Sequence, residues 1–410
     1  MAAAVATAAA LVASGLGTGP AGAASTSRIW SAKVVYGTSV GTVDGDTVTV
    51  RVDGDSSSVA PPQVRNTGIQ TVERGNCHAT QATDAMRRLT EGRRVRMTTV
   101  NPAAASMGRP VRYVDVSTSS GWADPQLSLL RAGHALPAVI GGDPTRWKAY
   151  HAAAQQAARA RANLWDTDFC GSGPSQSTPL RLWVNWDGNG DEFANPNFEY
   201  VRVLNSGSTS LSVGGWTVRT GALDPFTLPA GTKVPAHGTL TVRVGSGTST
   251  ATTVYWGSSV PKFSNTYGSG AYLFDPQGDA RAWSMYPCLH ACTDPLVGKV
   301  GMSVRADAAG VDAQNVNGEF VRLFPTGGAR RIDLSYRVLT VNGHVHEFPR
   351  GSVVGAGEVL TVHVGKGTTS RLRQFWGSST HFIGNTSDSV LLRTPDSIRI
   401  ACRWWGSERC

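Results

Sequence analysis

Past its first residues the chain lacks any apolar run approaching the ~20 residues that a membrane-spanning helix needs, which excludes a transmembrane span in its body. Cysteine is scarce, six in 410 residues. Around the Cys288-x-x-x-Cys292 spacing no second nearby pair or spaced histidine completes a four-ligand set, which argues against zinc there. Basic residues are absent before Arg28. Residues 1–24 nonetheless read as a secretion signal, because Ala, Val and Leu dominate residues 1–17 and Ala21-Gly22-Ala23 has the small-x-small form of a cleavage site. The basic start that such a leader carries would then lie upstream of Met1. From residue 179 onward there is no helical period of any length, only short Val/Leu/Thr/Trp runs punctuated by Gly.

What is present begins with charge. The net charge is +9, and residues 28–170 hold 17 basic against 12 acidic side chains, so polyanions are candidate partners. The even cysteine count in an exported, extracellular chain favours disulfides. Proximity in sequence pairs Cys77 with Cys170, Cys288 with Cys292 and Cys402 with Cys410. Closing the first of these loops stabilises by about 4–5 kcal/mol in the chain-entropy description. Gly (47) and Trp (12) are plentiful, as expected of a mainly β protein with many turns.

Taken in order, residues 33–52 predict two strands around an Asp44-Gly45-Asp46 turn, and 59–69 another extended stretch. Ala79, Ala82, Met86 and Leu89 fall at helical spacing within 77–91, before Gly92. Strands follow at 95–100 and 111–116, then a short helix at 125–132 and a longer one at 143–164. Residues 171–178 are a Gly/Ser/Pro linker. Beyond it the chain repeats at an offset of about 120 residues. Glu199-Tyr200-Val201-Arg202 returns as Glu319-Phe320-Val321-Arg322, and Trp256-Gly257-Ser258-Ser259 as Trp376-Gly377-Ser378-Ser379. Two copies of one all-β unit predict two Ig-like β-sandwiches at 179–297 and 298–410.

The order of strands and helices over 28–170 suits a small closed barrel of the OB type, and here the motifs resemble the staphylococcal nuclease (thermonuclease-like) family. They are Val43-Asp44-Gly45-Asp46-Thr47-Val48, Arg65-x-x-Gly68-Ile69-x-x-x-Glu73, Gly108-Arg109 and Asn163-Leu164-Trp165. The resemblance implies a Ca2+ ion held by Asp46 and the Thr71 carbonyl, Glu73 as general base, and Arg65 and Arg109 gripping a phosphate. Arginine suits that grip because its planar fork makes paired, charge-assisted bonds to phosphate oxygens. Two positions depart from the family. Gln70 stands where a second metal-binding aspartate belongs, which lowers calcium affinity toward ~10⁻⁴–10⁻³ M, and Met107 replaces a tyrosine. The repeat, with Gly215-Trp216-Thr217-Val218 and a terminal strand at 271–274, resembles the lamin tail domain; its second copy lacks the Gly-Trp pair.

The function expected from these resemblances is a secreted, calcium-assisted nuclease acting on single-stranded or frayed DNA or RNA, tethered by two sandwiches. The alternative is a weakened or inactive binder of nucleic acid or of a cell-envelope component, with Gln70 marking a decayed metal site. Lesser candidates are His78, beside the site as an assistant or a helix-start residue, and residues 187–192, a partial calcium loop more simply read as a polar loop. His344, His346 and His363 form a possible ligand face on adjacent strands.

Overall fold

The computed structural model describes residues 27–171, 173, 176–188, 191–222 and 224–410. The expected leader lies outside them, as do Ser172, Pro174 and Ser175 of the expected linker and Asn189 and Gly190 of the partial calcium loop. The protein is mainly β. Its first strands are β1 (Val34–Asp44), β2 (Thr47–Val52), β3 (Gln63–Asn66), β4 (Gly68–Gln70), β5 (Arg94–Thr98), β6 (Arg109–Thr118) and β7 (Leu136–Ala138). Five of them run in the order β3-β2-β1-β5-β6, and β6 returns to β3 in parallel, with Arg65 opposite Val111. That closes a barrel and leaves no open edge between its first and last strands. Val48, Val50, Val64, Val95, Met97 and Val114 fill it, all at 0% exposure, which is the period-2 alternation at work. β1 is long and shifts register at Ser39/Gly41 and again at Thr42/Asp44; such bulges increase the local coiling that lets a small sheet close.

Three helices cover the barrel: α1 (Ala79–Thr90), α2 (Pro125–Ala132) and α3 (Trp147–Arg159). Asp124 caps α2 by accepting from the Leu127 amide at 2.9 Å, and Gly133, at φ 76°, ends it. The third helix is shorter than the 143–164 its alanine-rich pattern suggests. Asp143 is not its first residue: its Oδ1 accepts from the Thr145 amide and hydroxyl, and its Oδ2 accepts from the Val100 amide. At the far end Arg161 and Asn163 both adopt a φ of 51°, which breaks the helix before the 3-10 turn Asn163–Trp165.

Residues from 180 on form two sandwiches of identical strand order. In the first, Leu180–Asn185, Tyr200–Asn205, Thr239–Arg243 and Thr253–Tyr255 make one sheet, and Pro225–Thr227, Thr217–Arg219, Ser269–Phe274 and Ala280–Tyr286 the other. The second repeats both sheets, from Val300–Arg305 to Arg399–Trp405. The recurring Glu-aromatic-Val-Arg has a structural cause. Glu199, fully buried, accepts from the Lys262 and Phe263 amides, and Glu319 accepts from the Phe382 and Ile383 amides. Burial, only partly offset by those donors, pushes the Glu199 carboxyl up to about 8. The three disulfides pair Cys77 with Cys170, Cys288 with Cys292 and Cys402 with Cys410.

The first sandwich is docked on the barrel. The Trp165 ring lies 5.8 Å from Tyr272 and 5.1 Å from Trp283, and Tyr272 and Met285 join the barrel's apolar core. Gln155 of α3 donates to the Pro287 carbonyl at 2.8 Å and accepts from the Leu289 and His290 amides.

Inside the barrel domain, Arg146 bridges Asp115 (2.6 Å) and Asp124 (2.8 Å), and Arg96 adds a second cation to Asp115. Burial alone would raise the Asp115 carboxyl; the hydrogen bonds from Arg146 and Arg96 outweigh it and hold the group below its usual range. Such a group stabilises fully above its unfolded value of about 3.9 and loses its contribution as pH falls from there through its lower folded value. Arg146→Ala, which takes one of two cations from Asp115 and, among the described residues, the only ion-pair partner from Asp124, should lower the unfolding free energy by about 3 kcal/mol at neutral pH, measured by denaturant titration. The deficit should shrink on acidification below about pH 4.

Candidate functional site

The Asp44-Gly45-Asp46 turn is what brings the site together. A Cβ on Gly45 would meet Thr71 Cγ2 at 2.6 Å and Ala82 Cβ at 2.8 Å, so only glycine lets the turn press against the segment after β4. Asp46, 4% exposed, consequently sits beside Thr71: its Oδ2 accepts from the Thr71 amide at 3.0 Å and hydroxyl at 3.1 Å. Its Oδ1 faces the Nε of Arg65 at 3.3 Å.

Arg65 is 1% exposed. Its Nη1 donates to the Asn66 carbonyl and to the Ile69 carbonyl at 3.0 Å, and its Nη2 donates to Gln70 Oε1 at 2.6 Å. Burial lowers its affinity for the proton, and the charges of Asp46 and Asp44 oppose that effect. Gln70 passes the network on: its Nε2 donates to the Thr71 carbonyl and to Glu73 Oε1, both at 3.0 Å. Arg109 joins from the other side through Thr47, whose hydroxyl receives Arg109 Nη1 at 3.1 Å and donates to Asp46 Oδ1 at 3.2 Å. Asp46, Arg65, Gln70, Thr71, Glu73 and Arg109 thus lie on one continuous chain of hydrogen bonds. Glu73 is exposed and Arg109 half-exposed, so the chain runs from a buried centre to two ends open to solvent.

Those bonds bear on the expected metal. Both oxygens of Asp46 are engaged by Arg65 and Thr71, the Gln70 oxygen by Arg65, and the Thr71 carbonyl by the Gln70 amide. A divalent ion would have to displace a guanidinium to reach one carboxylate and two neutral oxygens. Among the described residues no group of three His, Cys, Asp or Glu side chains is placed to hold a metal. The donor set does not fit a resident calcium ion. Asp44, half-buried beside Asp46, accepts the Asp46 amide on its Oδ1 at 3.0 Å, and burial together with the Asp46 charge raises its carboxyl.

The lesser candidates fall elsewhere. His78, 2% exposed, precedes α1 at φ 75°. Its Nε2 meets His134 Nδ1 at 3.3 Å and its ring the edge of Phe169 at 4.7 Å, so it is turned toward the covering helices. Glu192 accepts from the Gly188 amide at 2.7 Å and from Asn265 at 3.1 Å, which makes the described part of 187–192 a self-closed polar loop. The three strand histidines do not share a face, because they belong to opposite sheets of the second sandwich. His344 and His346 lie on the strand His344–Glu347, while His363 ends Leu360–His363. His344 stacks on Phe382, His346 bonds Gln374 at 2.8 Å, and His363 Nδ1 lies 2.9 Å from the Asn317 carbonyl.

Residues 182–287 match the profile of the lamin tail domain. That stretch is an Ig-like β-sandwich of the lamin tail type. No curated protein matches the sequence. The lamin tail-like module contributes to the site's surroundings, since its strand Thr217–Arg219 brings Arg219 close enough to feel the charges of Glu73 and Asp46. No spacing in the sequence marks that residue, which lies far along the chain in another module.

Two measurements follow. Arg65→Ala should cost about 3–5 kcal/mol of stability, because it leaves Asp46 buried without its counter-charge; a loss under about 1 kcal/mol, typical of an exposed arginine, would show that Arg65 is free. His78 is held down to about 4 by burial and then by His134. Its unfolded value is about 6.5, so below that pH the unfolded chain takes up protons that the native one refuses. Stability should fall steadily from pH 6.5 toward 4, and His78→Asn, which tolerates the left-handed backbone, should flatten that slope in denaturant melts.

Proposed function

We propose that the barrel domain binds the phosphodiester backbone of single-stranded or frayed DNA or RNA without a resident metal ion, in an exported protein whose two sandwiches act as interaction modules. The observation that carries this reading is the continuous network from Arg109 through Thr47, Asp46, Arg65 and Gln70 to Glu73. It fixes Arg109, half-exposed, at the rim of the barrel, where the charge-assisted fork of a guanidinium suits a phosphate oxygen pair. The basic surplus of the domain supports a polyanionic ligand, and the three disulfides support an oxidising compartment outside the cell. With its donors bound to Asp46, Gln70 and two carbonyls, Arg65 has a framework role: it orients the turn and the residues before Glu73.

One observation favours the second reading, a calcium-assisted nuclease. The Glu73 carboxylate is exposed and held by Gln70, the placement a general base needs in order to take a proton from an attacking water. Hydrolysis by that route also requires charge stabilisation on the phosphate, and here Arg65, one of the two guanidinium groups expected to supply it, is turned inward.

The test is binding of a short fluorescent oligodeoxythymidine by the full chain across a salt series. Affinity should fall as salt rises, with no response to calcium or chelator. Arg109→Ala should weaken binding and reduce the logarithmic salt slope by about 0.7–1, with melting unchanged. Gln70→Asp should create calcium sensitivity where the natural chain has none. Absence of binding at low salt would defeat the proposal, and calcium-stimulated cleavage by the natural chain would replace it with the second reading.

A further inference from the structure

The two sandwiches meet over a cavity of about 360 Å³, within the size range of small-molecule sites. Its floor belongs to the second sandwich, where the strands His344–Glu347, Val338–Val341 and Asp388–Arg393 lie side by side. Val345 is opposite Thr340 and Thr340 opposite Leu391, so the three form one row across the sheet. Ser389, Leu391 and Arg393 alternate with Val390 and Leu392, both fully buried in the core. The period of 2 therefore turns the first three outward, and all three line the cavity. The opposite wall comes from the first sandwich. Trp186, just past the strand Leu180–Asn185, stacks on Tyr286 at 4.7 Å and lies 5.4 Å from the Arg393 guanidinium. Asp187 follows it and lines the same space.

Arg393 is 6% exposed, yet it is poorly satisfied. Among the described residues it has two bonds, from Nη1 to the Thr394 and Pro395 carbonyls, each at 3.4 Å, beyond the usual range for such donors. No carboxylate of the described residues is within ion-pair distance of it. Asp187, half-buried, likewise has no ion pair or hydrogen bond among them. Burial raises its carboxyl, and the Arg393 charge opposes that effect. Buried charges ordinarily sit against a partner. Here a cation and an anion line one cavity without touching. The other lining residues carry no charge, so the cavity is neutral as a whole, with opposite charges at two points and an apolar floor at Val345 and Leu391. A dianionic phosphate suits Arg393 but is repelled by Asp187. A ligand of zero net charge that carries both signs satisfies the two groups at once.

We propose that this cavity binds a free α-amino acid with an aliphatic side chain. Its carboxylate lies on the fork of Arg393, a geometry that guanidinium groups favour. Its ammonium lies on Asp187, and its side chain rests on Leu391 and Val345. The ligand is held by both sandwiches and so ties them together. The site is separate from the barrel and does not depend on the phosphodiester-binding reading.

The test titrates the full chain with L-leucine, N-acetyl-L-leucine, L-leucinamide and inorganic phosphate at millimolar concentrations, read by calorimetry and by melting temperature. L-leucine should bind. The acetyl derivative lacks the ammonium and the amide lacks the carboxylate, so each should bind about tenfold more weakly. Asp187→Asn should weaken L-leucine about tenfold and leave N-acetyl-L-leucine unchanged, a distinction that general loss of structure would not produce. Arg393→Gln should weaken L-leucine at least about tenfold and leave L-leucinamide unchanged. Ser389→Phe, which fills the cavity and keeps both charges, should block L-leucine without altering oligodeoxythymidine binding; it decides the matter should Arg393→Gln fail to fold. Neither heat nor a melting shift with L-leucine overturns the proposal. So does binding of N-acetyl-L-leucine or phosphate as tight as that of L-leucine, or L-leucine affinity unchanged in Asp187→Asn or Ser389→Phe.

Discussion

The buried Arg65 guanidinium is the constraint that the candidate site depends on. A cation at 1% exposure is tolerated only when every donor has a partner and a counter-charge is near. Arg65 meets both conditions with groups from three pieces of chain: Asp46 from the first hairpin, the Asn66 carbonyl from its own strand β3, and the Ile69 carbonyl and Gln70 from β4. Because those groups must all stay in place, the hairpin turn, the kinked path from β3 to β4 and the exit toward Glu73 are held as one unit. The disulfide from Cys77 to Cys170 ties the end of that exit to the end of the domain, and Asp279 of the first sandwich accepts from the Cys170 amide at 2.7 Å.

The glutamine at position 70 takes on meaning in this light. A carboxylate there would give Arg65 a second anion and offer a cation a second charged ligand. Glutamine instead has an acceptor for Arg65 and two donors, and the donors go to the Thr71 carbonyl and to Glu73. One amide therefore uses both the oxygen that would bind a metal and the neighbouring carbonyl that would assist it. The site is satisfied internally, and what remains exposed to a ligand is its cationic rim and the Glu73 carboxylate.

Much of this was legible in the sequence, and the limits have physical causes. The barrel strands followed from alternation, and Asp44-Gly45-Asp46 marked the hairpin because few other residues turn so tightly. Gln70 was visible as a departure, but its effect was not, since hydrogen-bond direction depends on geometry that spacing does not carry. The inward bonds of Arg65 were hidden for the same reason: an arginine that grips a ligand and one that holds a loop look alike in one dimension. Residues 143–164 read as a single helix because alanine and basic residues favour helix along the whole stretch, yet two local turns, at Asp143 and Arg161, override propensity at both ends. Strand pairing defeated the histidine reading, because the strands His344–Glu347 and Leu360–His363, close in sequence, belong to opposite sheets of the sandwich.

The divergence of the second sandwich has its own logic. In the first copy Gly215, at φ 83°, donates its amide to Leu228, and Trp216 is buried next to it, with Arg281 stacked 5.1 Å from its ring. In the second copy the corresponding amide bond, to Phe348, is made by Tyr336 at φ 64°, and the next residue is Arg337. A non-glycine residue in that left-handed position costs roughly 1–2 kcal/mol, so something must hold it. Arg337 donates to Asp294 at 2.9 Å, and Tyr336 packs with Val338 against Trp183 and Leu204 of the first sandwich. Nearby, Arg202 of the first copy pairs with Glu347 of the second. The corner that serves the first copy's own core has become, in the second, the surface by which the two copies dock. The loss of the Gly-Trp pair is therefore a change of use, from filling one sandwich to joining two.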